Sequence, residues 1–191
     1  SWFSDLHVSY HVGFYGFSLW LVGMSVVVLA AATGYAFWAG RERPRAYYGL
    51  MLLLTGAIVG VFVAQDLLLF YVFWEAMLVP LYFLVGVWGG AGRLRATLLF
   101  VIYTMAGSLL MLASIIVLGL SQGTFDLVHS GTNGSDWIFL GFAAAFAVKA
   151  PIWPLHAWLP ETYRESSAEV SAVLSGVVSK AAAYGFLRIA I

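Results

Sequence analysis

The sequence contains no cysteine and few charged residues. The absence of cysteine excludes disulfide frameworks, cysteine-ligated zinc and cysteine-ligated iron–sulfur clusters. Charged residues make up 9% of the 191 positions, against about 25% in a typical soluble domain. The formal net charge is zero, and no basic block marks a surface for nucleic acid, so we expect no nucleic-acid partner. The four histidines are scattered without metal-ligand spacing, and we expect neither a metal nor a cofactor on this chain.

Long apolar runs dominate instead, since 62% of the residues are hydrophobic. A helix needs about 20 apolar residues to cross a bilayer, and lipid is the natural solvent for so much apolar surface. The sequence therefore predicts an all-α integral membrane protein with about six transmembrane helices. The chain begins at Ser1 and stops within an apolar run at Ile191, so we interpret it as a fragment. The predicted spans are 16–39, 47–64, 67–88, 96–120, 137–158 and 170–191.

The arginines predict the orientation of these spans. Arginine and lysine in short loops favour the cytoplasmic side, and the arginine-bearing loops follow the first, third and fifth spans. The loops at the other ends of the spans hold neither residue, which places them outside. There the pair Gln65-Asp66 predicts a tight turn, with Asp66 as a surface carboxylate, and 121–136 is the one long polar loop. The loop arginines are Arg41, Arg43, Arg45, Arg93, Arg95 and Arg164.

Three charged residues lie near the middle of predicted spans. Glu75 lies in the third span, and the chain's only lysines, Lys149 and Lys180, lie in the fifth and sixth. A charge at the bilayer centre costs roughly 2.5–3.5 kcal/mol on insertion scales, and such residues usually have a function. Desolvation weakens a lysine's hold on its proton and strengthens that of a carboxyl group. The three residues therefore predict a proton path; the alternative is a buried ion pair that only orients helices.

Two prolines follow Lys149 within the fifth span. Pro151 and Pro154 lack backbone donors, so we expect the carbonyls of Ala147 and Ala150 to be left free. A helix broken at this point would present a partly negative end beside the ammonium group. Broken helices at the level of the membrane centre recur at ion sites in transporters. The alternative is an ordinary proline kink.

Other polar and small residues allow two interpretations each. His156 would either relay protons towards the arginine-bearing side or lie at the membrane interface between Trp153 and Trp158. Tyr103, Thr104 and Ser108 in the fourth span would hold water or pack against helices, and we favour packing. Gly56 and Gly60 form a GxxxG pattern that either permits close helix approach or is a chance match.

Three strings of residues carry a resemblance to a known family. They are HVGFYGFSLW at 11–20, FYVFWEAMLVP at 70–80 and KAPIWPLHAWLP at 149–160. They resemble the antiporter-like membrane subunits of respiratory complex I, most closely the subunit M (chain 4) branch of bacterial NADH:quinone oxidoreductase. In two places the chain departs from the family. Tyr15 stands where we expect an acidic residue, and the loop 161–169 lacks the usual histidine and Ala-Pro-Thr segment.

The resemblance implies a fold and roles for the charged residues. The family fold has roughly fourteen helices, including two inverted repeats of five helices. This chain would hold an N-terminal segment with one helix (1–46) and one five-helix repeat (47–191), truncated at its C-terminal end. Lys149 would be the central protonatable residue, and Glu75 would pair with it or with Lys180. Lys180 and His156 would continue the hydrophilic axis, while Pro151, Pro154 and Asp66 would support the path.

We interpret the chain as a proton-translocating module of a membrane-bound NADH:quinone oxidoreductase in the bacterial plasma membrane. Electron transfer in other subunits would drive it, and no redox chemistry would occur on this chain. Its partners would be neighbouring antiporter-like membrane subunits, the lipid bilayer and protons. The first alternative is a subunit of a multi-component Na⁺/H⁺ antiporter. Two others are a retinal protein with a Lys180 Schiff base and a passive scaffold.

Overall fold

The computed structural model describes residues 10–127 and 136–190, and the side chains as far as residue 189. This part of the chain is helical, apart from turns and two isolated bridges, Val12 with Ala64 and Asp66 with Asp126. His7 and His129 lie outside the described residues. The α-helices are α1 (Gly16–Trp38), α2 (Pro44–Val63), α3 (Leu67–Ala76), α4 (Leu78–Trp88), α5 (Arg93–Gln122), α6 (Asp136–Lys149), α7 (Trp158–Glu165), α8 (Ala168–Val173) and α9 (Ser179–Gly185).

The final helical segment contains two wider π-helical turns. These turns, Leu174–Val178 and Phe186–Ala190, lie on either side of α9. Helix α8, the first turn, α9 and the second turn follow one another without a break, so they form one continuous segment that is long and apolar enough to cross a membrane. The prediction of a helical span at 170–191 is thus confirmed for the described residues, with irregular helix geometry that no sequence pattern signalled.

Five helical segments in the described residues are long and apolar enough to cross a membrane. They are Gly16–Trp38, Pro44–Val63, Leu67–Trp88, Arg93–Gln122 and Ala168–Ile189. The predicted span 137–158 is different, because its regular helix α6 is only 14 residues long and ends at Lys149. The all-α multi-pass fold and the break in the fifth predicted span are therefore confirmed.

Local sequence determines where several helices begin and end. Pro44 starts α2, because its fixed φ suits the first helical turn and its missing N–H is not needed there. Gly40 and Gly123 follow α1 and α5 with φ of +65° and +71°, a left-handed conformation that favours glycine at helix C-termini.

Asp66 caps a helix, and the prediction that it is a surface carboxylate was wrong. Its side chain is 1% exposed and accepts hydrogen bonds from the backbone N–H groups of Leu68 and Leu69 at 2.9 and 3.1 Å. An aspartate at this position satisfies backbone donors that the first helical turn cannot pair internally. The predicted turn at Gln65-Asp66 is confirmed, and the Asp66 carboxylate caps the N-terminus of α3.

The predicted span 67–88 is interrupted at a single residue. Helix α3 ends at Ala76 and α4 begins at Leu78, with Met77 between them. Pro80 explains the interruption, because its ring excludes a normal hydrogen bond to the carbonyl of Ala76, four residues earlier. The next backbone bond, from Leu81 N–H to the Met77 carbonyl, is long at 3.5 Å. This places Glu75 in the last turn of α3, next to a weakened stretch of helix.

The arginine-bearing loops lie together at one end of the helices. The indole N–H of Trp88 donates to the carbonyl of Glu42 at 2.8 Å. The backbone N–H of Gly90 donates to the carbonyl of Glu165, also at 2.8 Å. These contacts join the segments after the first, third and fifth predicted spans. We call this the arginine-bearing end.

One of the two glycines in the GxxxG pattern of α2 allows a close contact between helices. A Cβ atom at Gly60 would collide with the ring of Phe73 from α3, whereas nothing lies within 4 Å of the same position at Gly56. Gly60 therefore lets α3 approach α2, and Gly56 has no such role. This contact packs α3, which carries Glu75, tightly against its neighbour.

Candidate functional site

The buried lysine of α6 lies against an aromatic ring of α3. Lys149 is 3% exposed, and its Nζ atom lies 4.6 Å from the centroid of the Trp74 ring. The face of an indole ring attracts a cation, and the attraction is worth about 2 kcal/mol or more where water is excluded. Sequence reasoning identified Lys149 as buried but missed Trp74, although that residue precedes Glu75 directly.

Aromatic rings hold Trp74 in this position. Trp74 is 1% exposed and stacks on Phe70, one turn earlier in α3, with ring centroids 5.6 Å apart. Phe146, one turn before Lys149 in α6, meets Trp74 edge to face at 5.5 Å. Rings in close contact cannot turn freely, so the indole face keeps a fixed orientation towards the ammonium group.

Glu75 lies near Lys149 without forming a direct ion pair with it among the described residues. The two charges interact electrostatically, and the Glu75 side chain is half-buried. Tyr71, one turn earlier in α3, interacts with both Glu75 and Ser108 of α5. The structure therefore places Glu75 within electrostatic reach of Lys149 and sets Trp74 between their helices, and the pairing of Glu75 with a lysine stays a prediction.

At the helix break after Lys149, more backbone carbonyls accept hydrogen bonds than the sequence suggested. The N–H of Ile152 donates to the Ala147 carbonyl at 2.8 Å, in place of the donor that Pro151 lacks. The next carbonyl, of Val148, accepts the buried indole N–H of Trp158 at 2.9 Å. The expectation that the Ala147 carbonyl is left free was therefore wrong. The break is real, and Trp158 caps it.

The two tryptophans near His156 lie in different environments. Trp153 is 80% exposed, whereas Trp158 is 2% exposed, and the position of His156 at the membrane interface stays a prediction. The His156 ring is half-buried, and its Nδ1 atom is buried with no hydrogen-bond partner. In the described part of the chain no hydrogen bond joins this ring to Lys149.

Lys180 does not join the other two charges within this chain, which corrects the expectation of a buried position. Its side chain is exposed, and Nζ donates to the Ser175 carbonyl at 2.6 Å. The residues described here provide no helix that covers this face of the last segment. Burial was expected because the position is central in a span, but centrality along a span does not determine which face another helix covers.

A second charged cluster lies at the arginine-bearing end, and sequence reasoning missed it. Glu169 is 2% exposed, and its carboxylate receives two contacts from Arg41, Nε at 2.6 Å and Nη2 at 2.8 Å. The Tyr47 hydroxyl donates to the same carboxylate at 2.7 Å. The hydrogen bond to Glu169 raises the pKa of Arg41 above its ordinary value. This cluster ties the loop after α1 to α2 and the start of α8.

The glycine-rich turn at 89–92 wraps around another buried carboxylate. The Gly92 N–H donates to Oε2 of Glu165 at 2.7 Å. A Cβ atom at Gly90 would lie 2.6 Å from that oxygen, so a larger residue would displace the carboxylate. Both missed glutamates belong to the segment 161–169, which was predicted as a loop but lies mostly in helices α7 and α8, and their position just before an apolar run was the only signal available.

At the opposite end, Tyr15 faces an arginine. The guanidinium carbon of Arg188 lies 4.1 Å from the centroid of the Tyr15 ring, and Arg188 Nη2 donates to Oε1 of Gln65 at 2.8 Å. Gln65 in turn donates to the Gly13 carbonyl at 3.0 Å. The aromatic residue thus contacts a cation at the position where the family resemblance led us to expect an acid.

The hydroxyl groups of α5 mostly bond to their own helix. Thr104 donates to the Phe100 carbonyl at 2.7 Å, and Ser108 donates to the Met105 carbonyl at 3.1 Å. Both side chains are buried, as the packing interpretation predicted. In the described residues, no three His, Asp or Glu side chains are grouped as a metal site would require.

Comparison with known sequences shows the family. The model described as NADH:quinone oxidoreductase/Mrp antiporter, TM matches residues 64–191. NAD(P)H-quinone oxidoreductase chain 4 1 of Picosynechococcus sp. is 39% identical over 99% of this chain and 36% of its own length. Chain 4-3 of Nostoc sp. is 40% identical over 98% of this chain and 35% of its own length. The resemblance to the chain 4 branch is confirmed, and the chain spans about a third of these relatives.

Solved structures give the same result. A chain of respiratory complex I from Thermus thermophilus is 37% identical and aligns over 92% of this chain and 37% of its own length, with a TM-score of 0.76. A chain of the Mrp complex from Dietzia sp. is 27% identical over 91% of this chain and 34% of its own length, with a TM-score of 0.78. This chain therefore belongs to the NADH:quinone oxidoreductase/Mrp antiporter transmembrane family.

Proposed function

We propose that the chain is part of a proton-translocating membrane subunit of an NADH:quinone oxidoreductase. The observation that carries the proposal is the buried amine of Lys149, at a helix break, over Trp74 and near Glu75. A charge in such a place costs free energy, because lipid and packed side chains solvate it poorly. An ionisable residue found there usually has a function. We assign Lys149 as the central proton carrier.

Glu75 is the group that changes the charge balance around Lys149. While Glu75 is ionised, its field and the Trp74 ring both favour the ammonium form of Lys149. Protonation or displacement of Glu75 removes one of these two attractions, and the proton of Lys149 becomes easier to release. The break at Met77, two residues after Glu75, supplies a deformable point in that helix. Movement of α3 against α6 would therefore act as the proton switch.

Lys180 and His156 extend the path beyond this pair in our proposal. Lys180 carries its charge on a face that the described residues leave uncovered, which suits contact with a further part of the same protein. His156 lies in the break with a buried, unpaired Nδ1 atom that can accept a proton. We assign Pro151, Pro154 and Asp66 to the supporting structure, since they shape the break and cap the helix of Glu75.

The subunit would work within a larger assembly. We propose that electron transfer in other subunits drives it, that neighbouring antiporter-like subunits contact it, and that this chain holds no redox cofactor. The enzyme class is a proton-translocating oxidoreductase, to which this chain contributes only transport. We place it in the bacterial plasma membrane with the arginine-bearing end in the cytoplasm. Residues 1–46 would form the lead-in helix, and 47–191 the five-helix repeat.

Replacement of Lys149 with alanine tests the proposal. The substitution is made in the full-length protein within its assembled complex, in sealed vesicles, with native gel electrophoresis as the check on assembly. We expect proton pumping to be lost, with quinone reduction either lost or uncoupled. Normal coupled pumping by an intact Lys149→Ala complex would exclude the proposed role and leave the buried charges as structural features.

The second candidate is a subunit of a multi-component Na⁺/H⁺ antiporter. The similarity to the Mrp complex of Dietzia sp. favours it, but the chain 4 relatives are more similar in sequence. Dependence of transport on sodium separates the two. Proton movement that requires Na⁺ and continues without NADH would support the antiporter, whereas NADH-driven pumping in sodium-free buffer would support the oxidoreductase.

A further inference from the structure

The last helical segment carries polar side chains along the part that leads to Lys180. Ser171, Ser175 and Ser179 follow one another at intervals of four residues, which places them on one face of the helix. Ser179 Oγ donates to the Ser175 carbonyl at 2.8 Å, and Lys180 Nζ donates to the same carbonyl at 2.6 Å. The amine and the serine hydroxyl therefore share one acceptor and lie beside each other.

The direction of Lys180 is set by the geometry of the helix. The segment starts at the arginine-bearing end, where Glu169 binds Arg41, and Lys180 lies further into the membrane. Side chains on a helix incline towards its N-terminus, so the amine of Lys180 reaches back towards the arginine-bearing end. The π-helical turn Leu174–Val178 lies between the two and contains Ser175. Such turns are rare and occur often at functional sites.

Tyr163 lies at the end of this polar line. It belongs to α7, directly before the exposed Arg164, and its hydroxyl interacts with the side chain of Ser175. Its backbone carbonyl accepts the Ser171 hydroxyl at 3.4 Å. Burial raises the pKa of Tyr163 above its ordinary value, so the phenol keeps its proton at neutral pH and serves as both donor and acceptor.

We propose that the hydroxyl groups of Tyr163 and Ser175 relay protons along an access route from the arginine-bearing end to Lys180. The inference rests on the proposed function, in which Lys180 exchanges protons. Water between the hydroxyl groups passes a proton inwards, and each hydroxyl accepts one proton as it donates another, so neither changes its charge. Once Lys180 has passed its own proton on along the proposed path, its amine accepts the last proton and becomes ammonium again. No oxidant or reductant takes part.

Removal of single hydroxyl groups tests the route. Tyr163→Phe and Ser175→Ala are made in the full-length protein of the assembled complex, and pumping is measured in vesicles in H₂O and in D₂O. We expect pumping to fall about two- to tenfold, the rate equivalent of one lost hydrogen bond, with a larger solvent isotope effect. Ser175→Thr keeps the hydroxyl and should restore the rate, which a loss of packing alone would not explain.

Matched controls and Lys180→Ala separate the possible results. Tyr103→Phe and Ser121→Ala remove hydroxyl groups from α5, Ser121 being bonded to its own helix, and both should pump normally. Normal pumping by Tyr163→Phe and Ser175→Ala, together with failure of Lys180→Ala, would overturn the route and leave the proposed function standing. Normal pumping by Lys180→Ala would overturn the role of Lys180 itself. If Tyr163→Phe fails to assemble, the Ser175 pair decides the question.

Discussion

The amine of Lys149 and the ring of Trp74 form a cation–π pair inside the protein, 4.6 Å apart. They come from helices α6 and α3, whose relative position therefore determines how strongly the ring stabilises the charge. A pair of this kind tolerates loss of the proton better than a salt bridge does, because the neutral amine leaves no unpaired carboxylate behind. Trp74 is accordingly suited to a site that alternates between a protonated and a neutral form.

Substitutions of Trp74 should reduce pumping more strongly as the cation–π attraction of the new side chain becomes weaker. Tryptophan binds cations better than phenylalanine does, and leucine has no ring. We expect Trp74→Phe to retain more pumping than Trp74→Leu, measured as the proton-to-electron ratio in sealed vesicles. Trp153→Leu removes a tryptophan that is 80% exposed and serves as the control. Equal pumping by the two Trp74 variants would show that the ring only fills space.

Lys149→Arg separates a proton carrier from a structural charge. Arginine keeps the positive charge but does not release its proton in proteins. We expect a complex that assembles and fails to pump, as judged by native gels and by acidification in vesicles. A structural ion pair would instead tolerate arginine, so wild-type pumping by this variant would count against the proposal. Arg95→Lys at the exposed arginine-bearing end is the matched control.

The pair of Arg41 and Glu169 should matter for stability. Loss of Arg41 leaves Glu169 buried without its counter-charge, at a cost of about 3–5 kcal/mol, while joint replacement by apolar residues costs much less. We expect Arg41→Met and Glu169→Leu each to reduce assembly or thermal stability, and the double variant to recover part of the loss. Additive damage in the double variant would mean that the two side chains do not depend on each other.

The contact between Tyr15 and Arg188 predicts a tolerated exchange. Tyr15→Asp replaces a cation–π contact with an ion pair, whereas Tyr15→Leu removes about 0.5–1 kcal/mol of attraction at this exposed site. The N–H of Gly13, bonded to the Val63 carbonyl at 2.8 Å, reports local opening by hydrogen exchange. We expect faster exchange in Tyr15→Leu and nearly normal exchange in Tyr15→Asp. Phe17→Leu is the control, and equal exchange in all three variants would refute the contact.

The sequence by itself determined the features that depend on neighbouring residues. Runs of apolar residues predicted a multi-pass helical protein, because lipid requires about 20 such residues in succession. Pro151 predicted the end of α6 at Lys149, since a missing donor acts within four residues. The strings around Glu75 and Lys149 predicted the family, which the comparisons confirmed.

The tertiary structure decided which distant residues meet and which faces stay uncovered. Arg41 and Glu169 are 128 positions apart, and no local pattern could pair them. Asp66 caps a helix instead of facing solvent, and Lys180 is exposed instead of buried. Trp74 became part of the site only when α6 placed Lys149 over its ring. Hydropathy and spacing act along the chain, whereas burial and charge pairing depend on how the helices pack around one another.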